Sequence, residues 1–468
     1  MARERKSKSQ KVGSRRKIER KKDKIIIKGR SLRAQEELIL QSPRGMRDIL
    51  PEDQPYWQQI RKVAEKAAAD FGFRRIDVPV LEFTNLFARG VGSGTDIVEK
   101  EMYSFATKSA EKVSLRPEFT TGIARAYIQH GMKVKPKPVK LFYIGPCYRY
   151  DRPQKERFRE FYQFGFEALG EIDPVLDAQM IQMAWRVVHQ LGIKDASVQI
   201  NSIGCPTCRK NYLDLVVSYF ESKRNKLCID CKKRLEKNPL RILDCKEDKC
   251  AQVAANAPQS IDYLCDECRS HFKELLEYLE ELEIPFELNP SLVRGLDYYT
   301  KTVFEIFSGI DGECNKNALG GGGRYDGLIK LFGGEDTPAV GFAIGMDRVV
   351  SEMKKVQARI YREPKPRVFL AQLSNYAKKK SLKIFEAIEK SGVLVAESFG
   401  RGSLKSQLKI ADRLGVELTL ILGQKEALDG TVIIRDMVSG AQEIVDGGKV
   451  VEEVKRRLKS VRTVVKGQ

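Results

Sequence analysis

Two strand-like runs, LFYIGPCYRY (141–150) and RFREFYQFGFEALG (157–170), flank a charged tip, and no other stretch constrains the fold as much. A hairpin of this length makes this part of the chain an antiparallel sheet. Arg149, Arg152, Lys155, Arg157 and Arg159 crowd its turn. Alternate residues of a strand share a face. One face of 157–167 therefore carries Arg157, Arg159, Phe161, Gln163, Gly165 and Glu167, while Phe158, Glu160, Tyr162, Phe164 and Phe166 form a core face. If 150–156 form the loop, Arg149 lies opposite Arg157. Directly opposed like charges destabilise a sheet by roughly 0.2–1 kcal/mol. A bound polyanion reverses that sign. Alternatively, the guanidiniums splay into solvent or pair with Asp151, Glu156 or Glu160.

The surrounding pattern is that of an α+β domain. An amphipathic helix is expected from about Pro55 to Phe71, then a strand FRRIDVPVLEF, then a second hairpin turning at Lys108–Glu111. TTGIARAYIQHG reads as a short helix, and Asp173 as the N-cap of a long one. Residues 203–283 are helical and dotted with cysteine, in the manner of an insertion. Strands resume with FELNPSLVRGLDYYTKTVFEIF, which sets Arg294 at a strand end beside glycine. The strand AVGFAIG runs straight into a helix carrying Arg348 in its first turn. A cation there opposes the helix dipole, so it signals either a nearby anion or pairing with Asp347. The glycine run NALGGGGRYDGL lacks GK[ST] and is no Walker loop. Beyond a proline-bearing linker, strands and helices alternate as in a small α/β domain.

Of the formal net charge of +20, residues 1–33 supply +12, with 15 Lys/Arg against 3 Asp/Glu. Residues 1–40 are therefore expected to be a disordered basic tail: a solvated segment, an RNA-binding arm or a transit-type presequence. The overall charge points to a polyanionic partner. No apolar run is long enough to span a bilayer and no signal peptide is visible, so the cytoplasm is the default.

Eight of the ten cysteines fall between 205 and 268, which in a cytosolic chain argues for metal rather than disulfides. Cys205-x2-Cys208 and Cys228-x2-Cys231 are spaced as one structural zinc site, and Cys245-x4-Cys250 with Cys265-x2-Cys268 offer a second. Two closed tetrathiolate sites, one site with spare thiols, and reduced cysteines are the three readings. Sequence alone does not say which pairs share a metal. Cys147 and Cys314 read as unliganded thiols.

From about Arg44 onward, six ordered segments resemble the histidyl-tRNA synthetases, a class II aminoacyl-tRNA synthetase family. RGMRDILP resembles the family's opening segment, and the helix from Pro55 through PVLE (79–82) resembles motif 1, the dimer element. YRYDRPQKERFREFYQFGFE resembles motif 2 and GFAIGMDR motif 3. LVRGLDYY (292–299) and GGGRYDGL (321–328) resemble the segments specific for histidine. The resemblance implies an antiparallel-sheet catalytic domain (41–360) with the 203–283 insertion, and an anticodon-binding α/β domain (361–468). It implies a cytoplasmic homodimeric ligase that activates L-histidine with ATP and Mg²⁺ and charges tRNA-His.

Carried over to this chain, Arg149 meets the α-phosphate, Arg157 and Arg348 the γ-phosphate, and Arg294 the reacting carboxylate and α-phosphate. Glu118 and Thr120 hold the amino group, Gln163 the carboxylate, and Glu167 and Tyr299 the imidazole. Arg152 and Gln154 are candidates for the tRNA acceptor end. His130, His189 and His271 lie outside these motifs, which leaves no support for a histidine-based triad. The rival function is that of the regulatory subunit of ATP phosphoribosyltransferase, which resembles the catalytic domain but charges no tRNA. Many members of the family lack this cysteine set, so zinc is expected from spacing and not from the resemblance.

Overall fold

The computed structural model describes residues 40–152, 156–309, 318–360, 364–400 and 402–465. The basic tail up to residue 39, Gln154 and Cys314 lie outside the described residues.

Helix α1 (Gln54–Asp70) has proline in its first turn and buries Trp57, Ile60, Ala64, Ala67 and Ala68, the i, i+3, i+4 spacing of one helical face. FRRIDVPVLEF is not one strand. It splits into β1 (Arg74–Arg75) and β2 (Leu81–Phe83), which join different sheets. Pro79 has no N–H to donate and sits at the break. Helix α2 (Thr84–Gly90) follows, and β3 (Ser104–Ala106) and β4 (Lys112–Leu115) form the expected second hairpin, closed by Thr107 N–H to the Glu111 carbonyl at 2.9 Å. With β2 they make a three-stranded sheet. Helix α3 (Thr120–Gln129) leads into the long hairpin, β5 (Val139–Tyr148) and β6 (Glu160–Leu169).

Helix α4 (Pro174–Gln190) starts at Asp173, whose side chain accepts from Val175 N–H. Between the neighbouring parallel strands β7 (Ala196–Ser202) and β8 (Phe286–Leu288) lies the insertion: α5 (Pro206–Ser222), α6 (Ile229–Lys237), α7 (Asp248–Ala254) and α8 (Asp266–Glu281). Strands β9 (Thr300–Ser308) and β10 (Ala318–Arg324), the short helix α9 (Leu328–Leu331), strand β11 (Ala339–Gly345) and helix α10 (Met346–Lys355) complete this body. Its sheet has the order β1-β5-β6-β11-β10-β9-β7-β8 and is antiparallel from β5 to β7.

The sheet separates two apolar layers. Phe142, Phe164, Phe166 and Phe342 point into the larger, with α1, α4, α8 and α10. Tyr143, Leu141 and Val303 point the other way, toward α3 and the insertion. The parity expected of β6 holds, with Phe164 and Phe166 fully buried in the first layer.

The C-terminal body is a five-stranded sheet of order β13-β12-β14-β15-β16. Strands β12 (Val368–Gln372), β13 (Val395–Glu397) and β14 (Leu418–Leu422) are parallel and alternate with α11 (Asn375–Lys390) and α12 (Leu404–Leu414). Helix α13 (Gln424–Asp429), the antiparallel strands β15 (Thr431–Asp436) and β16 (Gln442–Asp446), and helix α14 (Val450–Val465) extend it beyond the alternation read from sequence.

Candidate active site

The floor of the site is the odd-numbered face of β6 and its neighbours. Glu167 sits opposite Leu141 on β5 and Gly341 on β11, and Gly165 sits between Tyr143 and Ala343. Glycine is required here for clearance. A Cβ on Gly341 would lie 1.7 Å from Glu167 Oε2, and one on Gly165 would lie 2.2 Å from the Tyr143 hydroxyl. The glycines of the sheet are what let a carboxylate and a phenol lie flat across neighbouring strands.

Glu167 is 1 % exposed. It accepts hydrogen bonds from Thr120 Oγ1 at 2.8 Å, Tyr325 OH at 2.6 Å and Tyr143 OH at 3.4 Å. Burial pushes its pKa up to about 8 against the lowering effect of these donors. Glu118, also buried, turns its carboxylate to the start of α3, accepting from Thr120 N–H at 2.6 Å and Thr121 N–H at 3.0 Å. Tyr298 OH reaches it at 3.4 Å. The Thr121 hydroxyl also donates to it, so four donors meet a carboxylate that has about four lone-pair sites.

Five arginines come from the segments that form this region: Arg149, Arg157, Arg159, Arg294 and Arg348. Arg149 donates to the Pro117 carbonyl at 3.0 Å, with its guanidinium 5.3 Å from the Phe161 ring centre. Its N–H meets the Arg159 carbonyl at 2.8 Å, so Arg149 faces Arg159, two positions beyond the register expected from sequence. The tip is therefore two residues longer than the expected 150–156. Arg157 pairs instead with Asp151 at 3.0 Å, and Arg159 stacks 3.6 Å from the centre of the Tyr150 ring. Aromatic faces and one carboxylate thus offset the crowded charge.

Arg348 does not use Asp347, which is taken by Arg47 at 2.8 Å and by Tyr162 N–H at 2.9 Å. It donates to the Ala318 carbonyl and, among the described residues, makes no ion pair. Burial lowers its pKa, and the charges of Arg157 and Arg149 lower it further. Arg294 is not at a strand end but in the irregular 289–299 segment, where it pairs with Glu305 of β9. Burial alone would depress this guanidinium, yet Glu305 and Tyr299 hold its pKa above the ordinary arginine value. The charge of Glu305 is also felt at Arg348, which joins the two arginines in one electrostatic neighbourhood.

Gln163 Oε1 is 3.5 Å from the Cys147 thiol, which burial pushes up to about 12. The Tyr299 ring lies 5.6 Å from the Arg294 guanidinium. Arg152, exposed on the tip, has its backbone N–H 2.6 Å from Asp151 Oδ1. Sequence reasoning missed Tyr143, Tyr298, Tyr325 and Glu305. The strand parity that selected Glu167 also selects Tyr143 once β5 is aligned.

The cysteines form two quartets, each with sulfurs within 4.8 Å of one another: Cys205, Cys208, Cys265 and Cys268, and Cys228, Cys231, Cys245 and Cys250. They are nested in the chain, unlike the consecutive grouping suggested by spacing.

The family model for histidyl-tRNA synthetase matches residues 45–206 and 237–349, and an anticodon-binding domain model matches 367–457. A histidine–tRNA ligase of Dehalococcoides mccartyi is 47% identical over 420 residues, 90% of this chain and 100% of that relative. The chain belongs to the histidyl-tRNA synthetase family. A ligase of Acetivibrio thermocellus is 42% identical over 89% of this chain and 100% of its own length. Among solved structures, the apo histidyl-tRNA synthetase of S. aureus matches with a TM-score of 0.71 and 32% identity, over 89% of this chain and 99% of that one. The histidyl-tRNA synthetase model skips residues 207–236, which hold Cys208, Cys228 and Cys231.

Proposed function

We propose that this chain is a histidine–tRNA ligase that activates L-histidine with ATP and transfers it to the 3′ end of tRNA-His. The observation that carries this reading is a buried, hydrogen-bonded carboxylate, Glu167, on the same sheet face as Arg149 and Gln163, with Arg348 and Arg294 linked to that face through Glu305. Glu167 and Tyr299 receive the imidazole, Glu118 and Thr120 the ammonium, and Gln163 the carboxylate. Arg149 meets the α-phosphate, Arg157 and Arg348 the γ-phosphate, and Arg294 the reacting carboxylate. Arg157 must leave Asp151 to do so. Arg152 and Gln154 are the candidates for contact with the tRNA acceptor end.

Histidine's carboxylate oxygen bonds to the α-phosphorus as the bond to the leaving pyrophosphate breaks. The terminal ribose hydroxyl of tRNA then takes the acyl group and AMP departs. In the first step two anions approach each other, so positioning and cationic stabilisation supply the catalysis and no protein nucleophile is required. Mg²⁺ would offset the charge of the nucleotide's phosphates. It needs only one or two protein carboxylates, and Glu305, 20% exposed beside Arg294, fits that need. Each cysteine quartet holds one structural zinc ion.

Residues 1–40 form a basic tail, 41–360 the catalytic domain with its 203–283 insertion, and 361–468 the anticodon-binding domain. The enzyme works in the cytoplasm as a homodimer, with exposed Val80, Leu81 and Phe83 in the motif 1 region available to a second copy. The rival regulatory role loses support from the match to an anticodon-binding domain and from the half-buried Arg294–Glu305 pair.

Aminoacylation of total tRNA with a panel of amino acids, with ATP–pyrophosphate exchange alongside, tests the reading. Histidine alone should support both reactions. Histidine-dependent exchange without tRNA charging would point to a non-charging relative, and no histidine-dependent exchange would overturn the assignment.

A further inference from the structure

In each quartet the sulfurs are too far apart for a disulfide, which needs about 2.05 Å: Cys205 and Cys208 are 3.6 Å apart, Cys228 and Cys245 4.0 Å. A tetrahedral ion with metal–sulfur bonds of about 2.3 Å spaces its ligands by about 3.8 Å. Backbone N–H groups already point at the sulfurs, from Cys265 to Cys208 at 3.1 Å and from Cys228 to Cys250 at 3.2 Å. Such donors favour thiolates. Four sulfur ligands and no other donor make a closed, structural site, and zinc is the ion this donor set and spacing suit best.

Both sites lie against the irregular segment that carries Arg294 and Tyr299. At the first, Arg209 follows Cys208 directly and donates to the carbonyls of Asp297, at 3.5 Å, and Tyr299. Gly204, just before Cys205, accepts from Lys301 N–H at 2.9 Å, and Glu267, just before Cys268, pairs with Lys301 Nζ at 2.8 Å. From the second site, Asn238 at the end of α6 donates to Asp297 Oδ1 at 2.8 Å. Arg234 of the same helix pairs with Asp96 at 2.9 Å, and Lys237 with Glu99 at 2.6 Å. Residues 289–299 have no helix or strand of their own, so the contacts at Asp297 and Tyr299 fix where the segment lies.

We propose that the insertion is a two-zinc clamp on residues 294–301, each quartet binding one zinc ion, and that zinc loading sets the enzyme's affinity for histidine. The second half of this proposal rests on the assignment of Arg294 and Tyr299 to the histidine site. Arg209 and Asn238 are positioning residues.

The test uses full-length protein purified without chelator. Elemental analysis should find two zinc ions per chain, and one in a Cys205→Ser/Cys208→Ser variant. Arg209→Met and Asn238→Ala leave every thiol in place. They should keep two zinc ions and raise the KM for histidine roughly tenfold in pyrophosphate exchange, with the KM for ATP held within about twofold, the size expected for one lost hydrogen bond. Hydrogen–deuterium exchange of residues 294–301 should accelerate in both and in the double cysteine variant. Near-zero zinc overturns the metal sites. Two zinc ions with histidine KM and amide exchange unchanged in both Arg209→Met and Asn238→Ala overturns the clamp. Accelerated amide exchange without any histidine-dependent turnover in the parent protein would retain the clamp and remove histidine as its beneficiary.

Discussion

A carboxyl group that is 1 % exposed, with its pKa pushed up to about 8, is expensive to ionise, and burial keeps Glu167 so against the opposing pull of a threonine and two phenols that donate to it. Its folded-state pKa lies above the unfolded value of about 4.3. Its contribution to stability is therefore complete below that value and declines as pH rises to about 8. Glu167→Gln should accordingly melt no lower than the parent above pH 8, while histidine-dependent exchange falls by at least about 100-fold, because a site built to accept imidazole N–H loses its acceptor charge. Melting curves across pH 5–9 and exchange assays on one preparation check both halves. Arg294→Ala should slow adenylate formation by roughly 10²–10³, the usual loss of one transition-state donor. A single-turnover change below threefold in folded protein would remove Arg294 from the chemistry.

At the scale of elements, the hairpin and the two strands beside it do most of the positioning. Gly341→Ala puts a methyl group 1.7 Å from Glu167 Oε2 and 2.8 Å from the Phe166 carbonyl, so the carboxylate must swing away. Histidine KM should then rise more than ATP KM, as measured by exchange kinetics. On the opposite sheet face, Asp177 of α4 is fully buried, 2.7 Å from Arg324, 2.9 Å from His271 and 2.6 Å from Thr302. Asp177→Ala leaves the buried Arg324 with Asp326 alone, at 3.2 Å, and takes the shared partner from His271 and Thr302, so it should cost about 3 kcal/mol in denaturant unfolding. Parity along β6 was legible from residues alone, and it placed Gln163, Gly165 and Glu167 correctly. Register at the tip was not, because loop length there is set by the Arg157–Asp151 pair and by arginine stacking, which leave no periodic trace. The partners of Glu167 come from three separate segments, so no local pattern announces Tyr143 or Tyr325. GGGRYDGL splits its roles, with Arg324 serving the core and Tyr325 the site.

For the whole molecule, sequence disclosed two bodies and an insertion, since a change of rhythm at a proline-rich linker survives without coordinates. It did not disclose β15 and β16, whose ladder follows the last alternating strand without a helix long enough to mark it. Net charge belongs to this scale too. Removing residues 1–40, which carry a net charge of +10, should weaken tRNA binding and flatten the slope of log K against log salt. An unchanged slope in filter-binding titrations would make the segment a solvated appendage.

The cysteine ligands are nested: Cys228 to Cys250 close one site entirely inside the stretch that Cys205 and Cys268 close from outside. Bringing distant residues together costs more entropy as the intervening chain lengthens, and an already closed inner ring shortens the outer one. Assembly should therefore be sequential, the inner ion captured during early compaction and the outer arriving as a latch. Stopped-flow refolding with a chromogenic zinc competitor would resolve two uptake phases, and Cys228→Ser should slow the remaining one.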